Sequence, residues 1–144
     1  MSPLSRVEVL VEPGLYELRS VTSTSRYYVD TRLGTSPRHL RVSGVDSFSG
    51  RLDSRWQPLR RLVSHPVRWD GERYLHDSEV DGADNQEWVL RAGSQHVFLA
   101  PDDTPGKPPF YWVQSSACKE LRKVEELPTE VVEWLATVEG APLA

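Results

Sequence analysis

The densest run of chemistry-bearing side chains is DSEVDGADNQEW, Asp77 to Trp88. An EF-hand calcium loop needs oxygen ligands at positions 1, 3 and 5, Gly at 6 and a bidentate Glu at 12. Asp77, Glu79, Asp81 and Gly82 meet the first four requirements, but Trp88 stands at position 12 and Asp84 where an apolar residue is usual. With no flanking helices predicted, the run reads as an acidic turn between strands, a calcium loop of another kind being the alternative. His39, His65, His76 and His96 are scattered, none at the i, i+4 spacing of a helical metal site. His76 beside Asp77, joined on folding by His65 or His96, is the arrangement that would hold a metal or act as a general base. Cys118 follows Ser115 and Ser116 near a possible helix start, where a thiolate is stabilised. On an apolar stripe it reads instead as a buried filler.

Motifs that would lift these residues into a mechanism are missing. The chain has no G-x-S-x-G, no H-E-x-x-H and no paired zinc-ligand spacing. The segment TPGKPP (104–109) places Lys after Gly but is too rich in Pro to cradle phosphates. The sequence therefore supports no catalytic residue, metal ligand or cofactor, and the reading is against an enzyme.

Arginine interleaved with aromatic residues is the stronger signal: Arg26-Tyr27-Tyr28, Arg55-Trp56, Arg68-Trp69 and Arg73-Tyr74. On a sheet, Arg26, Tyr28, Arg55, Trp56, Arg60, Arg61, Arg68 and Trp69 would form a binding surface, with rings to stack on and cations to pair. The plainer alternative puts the rings in the core and the arginines in solvent. Charge is distributed unevenly. Residues 19–69 balance at +7 and residues 70–144 at −9, within a net charge of −4. If folding keeps the two parts on different faces, the surface is charge-polar; a barrel or sandwich can also interleave them. The acidic second half disfavours nucleic acid.

These residues need a scaffold. A chain of 144 residues with 38% hydrophobic and 26% charged residues is expected to fold as one domain, 1–144, rather than as a disordered, collagenous or membrane chain. One Cys excludes a disulfide framework and any zinc site with two Cys ligands. MSPLSRVEVLVEPG has no unbroken apolar run of signal-peptide length, and no segment approaches a membrane span, so a cytoplasmic protein is expected.

Short apolar runs predict strands at Val7–Val11, Leu15–Val21, Arg26–Asp30, Arg38–Ser43 and Trp56–Val63, the last interrupted at Pro58 and so placed on an edge. Further runs follow at 66–69, 72–76, 86–92, 95–100 and 110–114, with Gly93-Ser94 expected to close a tight hairpin. Residues 43–54 read as a polar loop, and 115–127 fit either a helix or a strand. A helix is predicted over 129–139, with Thr129 as N-cap and Val131, Trp134, Leu135 and Val138 on one face. The expected architecture is mainly β: a small antiparallel β-barrel or sandwich on which this C-terminal helix packs.

The succession Gly14-Leu15-Tyr16-Glu17-Leu18-Arg19-Ser20, Ser25-Arg26-Tyr27-Tyr28-Val29-Asp30, then Trp112 with Ser115 and Leu121-Arg122-Lys123-Val124, resembles small uncharacterised β-rich proteins of high-GC actinobacteria and their phages. The resemblance implies a phage or mobile-element origin and no activity. The first functional expectation is a non-enzymatic protein that binds a protein partner, or assembles as a homo-oligomer, through its charge-polar surface. Nucleic-acid or nucleotide binding through residues 19–69 is the second, and a metal-dependent hydrolase using His76, Asp77 and Asp81 the third.

Overall fold

Alternation breaks down where a sheet is covered on both sides, and β2 (Leu15–Ser20) does this: Leu15, Tyr16, Glu17 and Leu18 are all buried. In the computed structural model, which describes residues 3–20, 25–33, 36–42, 56–66, 85–101, 105–115 and 118–139, β2 lies inside a five-stranded sheet. Its neighbours are β3 (Arg26–Asp30), β4 (Arg38–Val42), β5 (Gln57–Pro58) and β11 (Cys118–Val124), in the order β11-β2-β3-β4-β5. A four-stranded sheet, ordered β10-β9-β6-β7, contains β6 (Arg61–Pro66), β7 (Gln86–Glu87), β9 (Ser94–Pro101) and β10 (Phe110–Gln114). A two-stranded sheet joins β1 (Arg6–Glu8) to β8 (Val89–Arg91). All pairings are antiparallel. The chain is thus mainly β, with one helix, α1 (Thr129–Glu139), among the described residues.

One face of the five-stranded sheet presents Tyr16, Leu18, Tyr27, Val29 and Leu121 to a core shared with Leu62, Leu90 and Phe98. Phe98 is its centre. The ring is fully buried and stacks on Tyr27 at 5.5 Å and on His39 at 5.3 Å. It sits there because β9 alternates cleanly, with Ser94, His96, Phe98 and Ala100 inward. The opposite face presents Leu15, Tyr28 and Leu40 to Val131 and Leu135 of α1. Backbone hydrogen bonds tie the flanks of the two-stranded sheet to β11, Leu4 N–H to Leu121 O and Gly93 N–H to Cys118 O (both 2.7 Å), while Trp88 N–H to Leu62 O (2.8 Å) and Arg60 N–H to Leu99 O (2.7 Å) extend the ladders of the four-stranded sheet.

Several expectations change. The run 56–63 is not one strand: it breaks at Leu59-Arg60, so β5 ends the five-stranded sheet while β6 lies inside the four-stranded one. The turn near Gly93 uses Ala92 and Gly93, the latter at φ 84°, and connects strands of different sheets rather than closing a hairpin. Residues 118–124 resolve as a strand. The first helical bond of α1 is accepted by the Pro128 carbonyl from Val132, so the cap lies one residue before Thr129. The candidates Arg55, Arg68, Trp69, His76, Asp77 and Asp81, and the 43–54 loop, lie outside the described residues. No helix among the described residues is long and apolar enough to cross a membrane.

Phe98→Ala is expected to lower stability by about 3–5 kcal/mol, through lost burial plus the cavity left against Tyr27 and His39. Val132→Ala, on the exposed side of α1, is expected to stay within about 0.5 kcal/mol. Urea unfolding of the two variants checks the contrast.

Candidate functional site

Asp30, at the end of β3, is the most constrained acid of the described structure: its side chain is 1% exposed. Register places Arg38 of β4 opposite it, and the chain turns back so that Arg32 reaches it too. Arg32 Nε donates to Oδ1 at 3.0 Å and Nη2 to Oδ2 at 3.1 Å, while Arg38 Nη2 lies 3.0 Å from Oδ2. Burial works to raise the Asp30 pKa, but the hydrogen bonds from Arg32, then Arg38, prevail and hold it below the ordinary carboxylate value. The carboxylate therefore fixes the Arg38 guanidinium, whose Cζ lies over the Trp56 ring, 4.0 Å from its centre.

That stacked pair forms one wall of a cleft of about 600 Å³, whose lining includes Leu33, Pro37, Leu59, Arg60 and Trp88. Its volume falls within the range typical of ligand pockets. Trp88 comes from the turn between β7 and β8 and has φ 58°, the left-handed region a bulky residue rarely adopts. Bonds on both sides hold it: its N–H donates to Leu62 O and its carbonyl accepts from Val9 N–H. Arg60 sits at the break between β5 and β6. Its side chain is exposed and has no carboxylate partner among the described residues. Two indoles, apolar walls and an available cation suit a ligand that combines an apolar group with an anion.

Of the predicted binding residues, Trp56 and Arg60 share this cleft. The others described do not. Tyr28 is fully buried beneath α1 and donates its hydroxyl to Glu17 Oε2 at 2.7 Å, so it presents no ring to a ligand. Arg26 bonds Glu130 of α1 at 3.0 Å, and Arg61 pairs with Glu87 at 2.6 Å on the outer face of the four-stranded sheet. Both pairs join the basic part of the sequence to the acidic part, so among these residues the charges interleave. Arg38 and Trp88 were missed by sequence reasoning. Arg38 has no Phe, Tyr or Trp beside it in sequence, and Trp88 falls at position 12 of the acidic run and within the 86–92 strand run, neither of which points to a binding surface.

Burial shifts two ionisable groups of the core, His96 and Cys118. His96 is wholly buried; its Nε2 accepts from Arg91 N–H at 3.1 Å. Burial, then the Arg91 charge and His65, pushes its pKa down to about 3, so the ring is neutral at neutral pH. Burial pushes the Cys118 thiol up to about 11. Among the described residues, no group of three His, Cys, Asp or Glu side chains is placed to hold a metal.

No family model, curated protein or solved structure matches the chain. The functional reading therefore rests on the residues and geometry above.

Asp30→Asn is expected to lower stability by about 2 kcal/mol at neutral pH, because a buried acceptor of charge-assisted bonds is lost. A depressed folded-state pKa adds stability above the unfolded value, near 3.9, and loses it as pH falls through the folded value. The variant should thus show a shallower loss of urea midpoint than the parent between about pH 5 and about pH 2. Cys118 should resist iodoacetamide at neutral pH in the native protein and react once it unfolds, as intact-mass measurement would report.

Proposed function

We propose that the protein is a non-enzymatic interaction module that receives an exposed segment of a partner protein in the Trp56–Trp88 cleft. The observation that carries this reading is the juxtaposition of two tryptophans with Arg60, a cation with no carboxylate partner among the described residues, at an open concave surface. Trp and Arg supply most of the binding energy at protein interfaces when they line desolvated pockets. Arg38 cannot move to neutralise an incoming group cheaply, since Asp30 holds it against Trp56. Arg60 therefore takes the acidic residue, and the indole of Trp88 packs against an apolar anchor beside it. The positive φ of Trp88 fits a residue kept in an unfavourable conformation for binding rather than for folding alone.

Pairing of a basic face with an acidic one, in a partner or in a second copy, draws less support. Arg19, Arg26, Arg32, Arg38 and Arg61 already hold carboxylates of their own chain. The same bonds weaken the nucleic-acid reading, which needs those cations for phosphates and Tyr28 for stacking. The hydrolase reading depends on His76, Asp77 and Asp81 and gains no support. For the fold, the Leu4–Leu121 and Gly93–Cys118 bonds, which tie the flanks of the two-stranded sheet to β11, favour a partly closed barrel over an open sandwich. A lone buried thiol fits a reducing compartment, so the partner is sought in the cytoplasm.

Selection of a displayed random-peptide library on the immobilised protein tests this reading. The expected result is an enriched motif with an apolar anchor next to Asp or Glu, and binding to Arg60→Glu weakened about ten-fold or more. No enriched motif, or a motif that Arg60→Glu binds equally well, overturns it.

A further inference from the structure

Sheet edges show which surfaces a chain shields from strand pairing. Natural proteins blunt exposed edges with short strands, charges, proline or bulges. Here β5 and β7 are two residues long, and β5 contains Pro58. The β11 edge carries Lys119, Glu120, Arg122 and Lys123, breaks register between Cys118 and Glu120, and receives the Leu4 and Gly93 N–H groups along its outer side. The β10 strand has none of these devices. It is the outer strand of the four-stranded sheet among the described residues, and Phe-Tyr-Trp-Val-Gln holds unbroken register with β9 over five pairs.

Its hydrogen-bonding pattern can be assigned. Ser115 N–H donates to His96 O, so residue 115 bonds toward β9. Bonding direction alternates along a strand, so Phe110, Trp112 and Gln114 point their N–H and C=O groups away from β9. Phe110 is 50% and Trp112 51% exposed, on a face continued by half-buried Leu99, Val97 and Val63.

We propose that β10 is a self-association edge, pairing antiparallel with β10 of a second copy about a two-fold axis through Trp112. The occupant follows from charge and register. A two-fold centred on Trp112 sets Trp112 against its own equivalent and Phe110 against Gln114, so no like charges meet although each chain carries a net charge of −4. These three outward-facing positions are the ones that exchange both backbone bonds in such a pairing. The facing indoles add an aromatic cross-strand pair. A strand of opposite charge would find no complementary charge on this edge, whereas an identical neutral strand finds complete backbone partners. The inference is independent of the Trp56–Trp88 cleft.

Sedimentation equilibrium of the full chain, from about 1 μM to about 1 mM, reads the outcome across the range of modest affinities. The expected result is a rise from monomer to dimer mass for the parent, and monomer throughout for Trp112→Pro. Proline at this position removes an outward N–H and leaves the ladder to β9 intact. Far-UV circular dichroism verifies that the variant folds. Should it not fold, Trp112→Lys replaces it, since like charges then meet on the axis. A parent that stays monomeric overturns the proposal and leaves the edge to a foreign strand. A dimer that persists in the folded variant overturns it as well, by locating the interface elsewhere.

Discussion

Burying both faces of β2 and β3 imposes a requirement that the rest of the molecule meets: every polar group on those strands needs a partner within the protein. Glu17 and Asp30 both point to the α1 side of the sheet, and both are nearly inaccessible. Glu17 is held by the Tyr28 hydroxyl and Arg19, and Asp30 by Arg32 and Arg38. The cleft is a consequence of this. Satisfying Asp30 fixes Arg38, Arg38 offers a flat surface to Trp56, and the stacked pair becomes a wall. A carboxylate buried in the fold thus organises one wall of the cleft.

The arginines divide by the same logic. Arg19, Arg32 and Arg38 are drawn to the buried acids Glu17 and Asp30, while Arg60 falls at a break between strands and has no carboxylate partner among the described residues. That break has a physical cause. Leu59 must enter the main core, its N–H donates to Pro37 O, and the next residue turns its N–H toward Leu99 in the other sheet. The chain changes sheets within two residues, and Arg60 is the side chain left in solvent.

Edges and faces follow one principle. Where the molecule covers a strand it tolerates apolar side chains on both sides, as in β2 and β3. Where it leaves a strand at the margin it usually adds charge, proline or brevity, and β10 departs from that practice. Among the described residues, the cleft and β10 both present aromatic surface, the first with a cation beside it and the second without.

Local patterns sufficed for the class of the fold. The apolar run at 95–100, the aromatic and β-branched runs beginning at 15 and 26, and the helical face at 131 and 135 all appear where they were expected, because these signals depend on neighbours a few residues apart. Trp56 and Arg60, both singled out from the arginine-aromatic segment of the sequence, do fall together in the cleft. Tyr28, Arg26 and Arg61 do not, since a ring or guanidinium is available only if nothing else in the fold claims it, and Glu17, Glu130 and Glu87 lie 11 to 104 residues away. Arg38 and Trp88 became visible only when β3 met β4 and the β7–β8 turn closed over Leu62. Local pattern placed most of the described strands and the helix but left 56–63 as one strand and 115–127 open, because it reads only near neighbours; pairing between distant strands settled which charges are neutralised, which rings are covered and where a cleft opens.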